Sequence, residues 1–157
     1  MQDRDRALPL SPIPRKNWEI DAYPVNEIAE YVQDVSQGDI DVLVEEYYNK
    51  YDMILDGRDP EEFKKHVAVQ AGIEIGFERF LEEKKYQAIV THFGDLGSLE
   101  QLPGLAIQRL MEKGYGFGGE GDWKTAAMGI EAVYIDGDTT IRNLQNELRW
   151  NSMYFSK

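Results

Sequence analysis

From Val25 the apolar residues Ile28, Tyr31, Val32 and Val35 recur at spacings of three and four, which predicts a helix running until Gly38. A second stripe, Ile40, Leu43, Val44, Tyr47, Tyr48 and Tyr51, predicts another helix whose aromatic face packs on a core. In "DGRDPEEFKKHVAVQAGIEIGFERFLEEKKY", Asp59 caps, Pro60 fits the first helical position and Glu62 lies where it can reach back to the cap. A long helix to about Lys85 follows, with Phe63, Val67, Ile73, Phe77, Phe80 and Leu81 inward. Gly72 and Gly76, four apart on one side, permit close approach of another helix.

Downstream the period changes. "YQAIVTHF" has the pattern of a buried strand, "LPGLAIQRLMEKG" returns to helix with Pro103 in its first turn and Gly114 beyond its end, and "DWKTAAMGI" reads as one short helix. "EAVYID" is a second strand, and "GDTTIRNLQNELRW" a capped helix. "NWEIDAY", before the first helix, has the composition of a short strand. Alternating strands and helices predict one compact α/β layered domain, with a small, mostly parallel sheet flanked by helices and right-handed crossovers. Its expected span is 18–157, completed by the strand and helix of 130–154. Residues 1–17, with three prolines and no periodicity, predict an extended arm or linker.

Composition narrows the chemistry. There is no cysteine, which removes thiolate nucleophiles, disulfides and zinc ribbons. Seventeen Lys+Arg against 29 Asp+Glu give a net charge of −12, and Lys64-Lys65 and Lys84-Lys85 sit beside glutamates as solvated helix faces, so no nucleic-acid partner is expected. Apolar runs of only a few residues and the polar start "MQDRDR" predict no membrane span and no signal peptide, hence a cytoplasmic protein.

The candidate chemistry gathers at "GYGFGGEGDWKTAAM". Gly114, Gly116 and Gly119 satisfy G-x-G-x-x-G, but Gly114 follows a helix where a dinucleotide fold needs a strand end, and no Walker loop is present. The other reading makes the glycines a tight turn after a short strand, which sets Glu120 at the mouth of the sheet ahead of a helix N-terminus. A carboxylate there can move a proton or hold a hard divalent ion, though either task needs further groups. The bland alternative is a glutamate stabilised by the helix dipole. His66, near the start of the long helix, has no second ligand at i+3 or i+4 and reads as a packing residue.

The stretch "THFGDLGSLEQLPGLAIQRLMEKGYGFGGEGDWKTAA" resembles L-arabinose isomerase. "NWEIDAYPVNEIAEYVQDVS" and the following helices are similar to that family's central domain, which implies a fold of the flavodoxin or Rossmann-like kind, and "VYIDGDTTIRNLQNELRWN" is similar to its far C-terminal end, so the resemblance covers roughly residues 18 to 154. It implies interconversion of aldoses and ketoses, L-arabinose with L-ribulose and often D-galactose with D-tagatose, through a cis-enediol, with Mn2+ or a similar divalent ion held by two glutamates and two histidines. Glu120 matches the first of those glutamates, metal ligand and proton-transfer group together. Phe93 matches an aromatic residue lining the pocket for the pentose or hexose sugar.

The resemblance also implies what is missing. The family's second glutamate and both ligand histidines lie in a segment that would follow Lys124–Met128, where this sequence passes at once into the C-terminal strand; His92, at a strand end, is the candidate substitute ligand. Gly94, Gly97 and Ser98 replace an acidic residue, a histidine and a glycine of the family pattern. The expectation is a shortened isomerase-like protein with little activity as an isolated chain and no bound ion unless another chain supplies ligands. The alternative is a non-catalytic assembly or sugar-binding module. In either case the expected partners are further copies, in a homo-oligomer, or a complete isomerase subunit.

Overall fold

The computed structural model describes residues 19–92, 94, 96–119, 121–127 and 129. The arm expected over residues 1–17 and the strand and helix expected over 130–154 lie outside them, as do Phe93 and Glu120.

Helix α1 covers Val25–Gln33, α2 Gln37–Lys50 and α3 Pro60–Lys84; strand β1, Ala88–Val90, is followed by α4, Gly104–Glu112, and strand β2, Gly116–Gly118. Helical residues resume at 123–127. The first helix is shorter than its apolar spacing predicts because Ser36 begins the next one, its hydroxyl accepting from the Asp39 N–H at 3.2 Å. Val35 is buried in the link between them. The strand expected in "NWEIDAY" does not form at residues 19–23; Tyr23 instead turns edge-on to Phe80, with ring centroids 5.1 Å apart.

The long helix starts as its sequence dictates, with the Asp59 carboxylate accepting from the N–H groups of Glu61 and Glu62 and Pro60 at the first helical position. It ends at Lys85, which takes the left-handed conformation, φ 61°, and turns the chain into β1. Two clusters of buried side chains pack on it. Ile73, Phe77, Phe80 and Leu81 meet Ile89 of β1 and Ile107 and Leu110 of α4, while Val67 and Ala71 meet Val44 and Tyr47 of α2. Tyr48, counted in the aromatic stripe, points outward and is 40% exposed. Gly76 lets α1 touch α3: a Cβ there would stand 2.6 Å from the Val32 Cα.

Strands β1 and β2 pair in parallel, Ala88 opposite Gly116 and Val90 opposite Gly118, with α4 as the crossover. Phe117 joins the α3–α4 cluster, so Gly116 and Gly118, alternating with it, face the opposite side. There residues 123–127 run: a Cβ on Gly118 would lie 3.4 Å from the Ala126 Cβ and 2.0 Å from the Asp122 carbonyl oxygen. The described residues therefore form one α/β layered unit, helices on both faces of a small parallel sheet, as the alternation of periods predicts. Among them no helix is long and apolar enough to cross a membrane.

The start of α4 has no cap of its own, since Pro103 stands at that position. Gln70 of α3 supplies one across the interface: its Oε1 accepts from the N–H groups of Leu105 and Ala106 at 3.1 and 3.3 Å, and its Nε2 donates to the Leu102 carbonyl at 2.8 Å. Gln70→Ala is expected to lower stability by about 1–2 kcal/mol in urea unfolding, as loss of a cap does. Gln70→Glu, which keeps the acceptors near the helix N-terminus, should retain part of it. No change in Gln70→Ala would mean that water replaces the cap at no cost.

Candidate functional site at the carboxyl edge of the sheet

The geometry at the sheet's carboxyl edge follows from the two crossovers. β1 leaves through residues 91–103 toward α4, on the face that Phe117 occupies, and β2 leaves through 119–122 toward the helical residues on the other face. Adjacent parallel strands whose exits part in this way leave a crevice at their carboxyl ends, where open α/β sheets place ligands. One lip carries Thr91 and His92, the other Gly119, Gly121 and Asp122.

Backbone hydrogen bonds fix the lips. The Thr91 N–H donates to the Gly118 carbonyl and the Gly121 N–H to the Thr91 carbonyl, both at 3.2 Å. Gly121 has φ 81°, which favours glycine. Asp122 caps the residues that follow, accepting from the N–H groups of Lys124 and Thr125 at 3.1 and 3.2 Å and from the Thr125 hydroxyl at 2.6 Å. The Thr125 hydroxyl, then these backbone donors, hold its carboxyl below the usual carboxylate range. Gly119 and Gly121, which bracket Glu120, thus occupy the strand-to-helix turn expected for them, although Glu120 itself is not among the described residues.

The G-x-G-x-x-G match dissolves in the fold. Gly114, with φ 98°, ends α4, its N–H donating to the Met111 carbonyl, and Gly116 lies inside β2. The 91–103 loop also accounts for Gly97. Its φ is 52°, which favours glycine, and a Cβ there would come 2.3 Å from Asn26 Oδ1 and 2.5 Å from a Val25 methyl, so a side chain would push those two side chains aside. Asn26 Oδ1 accepts from the Ser98 N–H at 2.9 Å, tying the loop to that helix.

The two histidines make separate contacts. His92, exposed at the lip, accepts from the Gly94 N–H through Nδ1 at 3.1 Å. His66, exposed on α3, pairs its Nδ1 with Gln101 Nε2 at 2.7 Å. Among the described residues no group of three or more His, Cys, Asp or Glu side chains could hold a metal ion. The described donors at the lip therefore do not amount to a divalent site, which takes six or more oxygens for calcium or octahedral geometry for magnesium.

The sequence reading missed a buried charge cluster. Glu74 of α3 is fully buried; its Oε2 accepts from the Tyr47 hydroxyl at 2.5 Å and from Arg109 Nε at 3.1 Å. Arg109 Nη2 donates to Glu46 at 2.6 Å, and Lys113 Nζ stands 2.9 Å from Glu74 Oε1 as an ion pair without hydrogen-bond alignment. Burial, then the Glu74 carboxylate, pushes the Tyr47 phenol far up, so it remains a donor. A signal existed: Glu74 falls seven residues after Val67 and three after Ala71, on the apolar face itself.

Residues 14–136 match the L-arabinose isomerase central domain. The chain is 43% identical over 124 residues to L-arabinose isomerase of Geobacillus kaustophilus, a match covering 78% of this chain and 25% of that protein. It is 45% identical over 121 residues to L-arabinose isomerase of Serratia proteamaculans, covering 76% and 24%. To L-arabinose isomerase 1 of Clostridium acetobutylicum it is 47% identical over 111 residues, covering 71% and 23%. The chain thus spans about a quarter of the length of the relatives it matches.

Proposed function

The chain belongs to the L-arabinose isomerase family through its central domain, and we propose that its carboxyl-edge crevice is this domain's share of an aldose–ketose isomerase site. The substrates on this reading are L-arabinose, giving L-ribulose, and D-galactose, giving D-tagatose. Glu120 takes the proton from the carbon beside the aldose carbonyl and returns it to the former carbonyl carbon of the enediol, while a proton passes from the oxygen on the first carbon to the oxygen on the second. Phe93 lines the sugar's apolar face. The observation that carries the reading is the parting of the β1 and β2 exits to opposite faces, which makes a crevice with Gly119 and Gly121 on one lip.

A manganese-type ion would need ligands beyond the described residues, from the rest of a longer polypeptide or from a partner subunit. No step is therefore routed through it. The same shortage of donors favours a second reading, a non-catalytic assembly or sugar-binding module that associates with a complete isomerase subunit.

The test is calorimetric titration of manganese into chelator-treated protein with L-arabinose present, then a ketose assay on that sample. Stoichiometric binding with turnover supports the isomerase reading, and Glu120→Gln should then cut turnover about 100-fold with an unchanged circular dichroism spectrum, the usual scale for losing a proton-transfer group. Turnover that survives the substitution removes Glu120 from the reaction. Protein that neither takes up the ion nor forms ketose belongs to the second reading.

A further inference from the structure

The loop from β1 to α4, whose first residues form the Thr91–His92 lip, is fastened at two places. Near its middle the Ser98 N–H donates to Asn26 of α1. Near its far end it is held to α3 through Gln70, Gln101 and His66. That second fastening has a fixed polarity, and the backbone sets it. Gln70 Oε1 accepts from the Leu105 and Ala106 N–H groups while its Nε2 donates to the Leu102 carbonyl, so turning this amide over would set donor against donor and acceptor against acceptor. The other Nε2 hydrogen goes to Gln101 Oε1 at 2.9 Å. Gln101 is thereby oriented too, and its own Nε2 is what meets His66 Nδ1 at 2.7 Å.

A ring nitrogen facing an NH2 group must accept. The network thus assigns the His66 ring: Nδ1 bare, the hydrogen on Nε2, the side chain neutral. An imidazolium carries hydrogens on both nitrogens, so a protonated His66 would set Nδ1–H against the Gln101 NH2. Turning Gln101 over to offer its oxygen would set its NH2 against that of Gln70 instead. Whichever side chain swings away, the link is broken. The charged side chains around His66 are Glu62, one turn back on α3, the adjacent Lys65, and Glu100 beside Gln101 in the loop. α2 packs on the Val67 and Ala71 side of α3 and α1 on the Gly76 side, while Arg109 of α4 is committed to Glu74 and Glu46. Among the described residues none of these charges pairs with His66, which leaves the Gln101 amide as the partner that decides.

We propose that Gln70, Gln101 and His66 form a proton-sensitive latch on this loop, closed while His66 is neutral and released when its ring takes up a proton. The sign follows from the polarity: the latch holds at the alkaline end of the range in which histidines change charge, about pH 5 to 8, and opens toward the acid end. The Ser98–Asn26 bond has no titrating member, so release frees the α4 end of the loop and leaves its middle tied to α1.

Amide hydrogen exchange on the full chain tests this, with protection taken relative to the open-chain rate at each pH. From about pH 8 to about pH 5.5 the Leu105 and Ala106 amides should lose protection about 3- to 10-fold, the scale of one hydrogen bond, while amides in the middle of α3 keep theirs. His66→Gln should remove the difference, since its amide can turn to offer an acceptor at either pH. Gln101→Glu should reverse it, because a carboxylate takes the Gln70 NH2 on one oxygen and the imidazolium on the other. The Gln101 side-chain NH2 signals should also move together with those of the His66 ring as pH is varied. Unchanged protection in the parent, a change that persists in His66→Gln, a loss shared by α3, or a Gln101→Glu response of the parent's sign overturns the latch. So do Gln101 signals that stay fixed while the His66 ring titrates.

Discussion

Replacing Glu74 by Ala is expected to cost about 3–5 kcal/mol of stability, the scale for removing one member of a buried ion pair. The carboxylate sits at the meeting point of three helices and is reached by Tyr47 from α2 and by Arg109 and Lys113 from the α4 end. Without it, Arg109, only 5% exposed, keeps Glu46 as its anionic partner, which is half in solvent, and the Tyr47 hydroxyl loses its acceptor. Burial alone would lower the Arg109 guanidinium, but Tyr51, Glu46 and Glu74 more than offset it, so the cation persists and must be accommodated. Glu74→Gln should fall between, because the amide can still accept from Tyr47. The double change Glu74→Leu with Arg109→Leu should recover much of the loss, since a matched apolar pair leaves no charge stranded. Urea unfolding of the three variants is the measurement. A loss below about 1 kcal/mol in Glu74→Ala would mean that the cluster is solvated and contributes no more than a surface pair.

Gly76→Ala is expected to destabilise by about 3 kcal/mol, at the upper end of overpacking costs. The sign is what makes this informative. In an exposed helix interior, Gly to Ala gains roughly 0.5–1 kcal/mol from lower chain entropy. At Gly76 the added methyl meets the Val32 Cα at 2.6 Å and its nitrogen at 2.7 Å, and backbone cannot rotate aside as a side chain does, so α1 must lift off α3. Gly38, inside α2, is the internal control: its nearest neighbour would be Ser36 Oγ at 3.9 Å, and Gly38→Ala should show the ordinary gain. Thermal unfolding that ranks Gly76→Ala above the parent would refute the close contact.

Much of this arrangement is legible in the sequence. The 3.6 period from Phe63 to Leu81, with Asp59-Pro60 before it, fixes α3 almost to the residue, and Gly76 marks its contact with α1, whereas a Cβ on Gly72 would meet Ile40 of α2 at an ordinary 3.5 Å. Local chemistry fails where a distant group decides. Nothing near Pro103 reveals that Gln70 caps α4, and the end of α1 is set by Ser36 acting for the next helix. The "NWEIDAY" segment has strand composition but no strand beside it at residues 19–23, and propensity without a ladder partner does not make a strand. At the site, the turn around Glu120 was legible because Gly118 and Gly121 have backbone reasons to be glycine. The buried Glu74 shows only in its place on the apolar face, a weak signal because a glutamate on a long helix is ordinarily a solvated one.

The opposed crossovers have a mechanical consequence. Thr91 and His92 hang from the thick helical layer built on α3, and Gly119, Gly121 and Asp122 from the thin layer on the other side, joined among the described residues by the two short strands and by the Gly121 N–H bond to the Thr91 carbonyl. Widening the crevice by rocking the layers about β1 and β2 would have to stretch that one bond, while both hydrophobic clusters, which lie on the α3 side, would stay intact. A molecule spanning the lips would then act as a clasp, and its grip would be felt as stiffness throughout the thin layer.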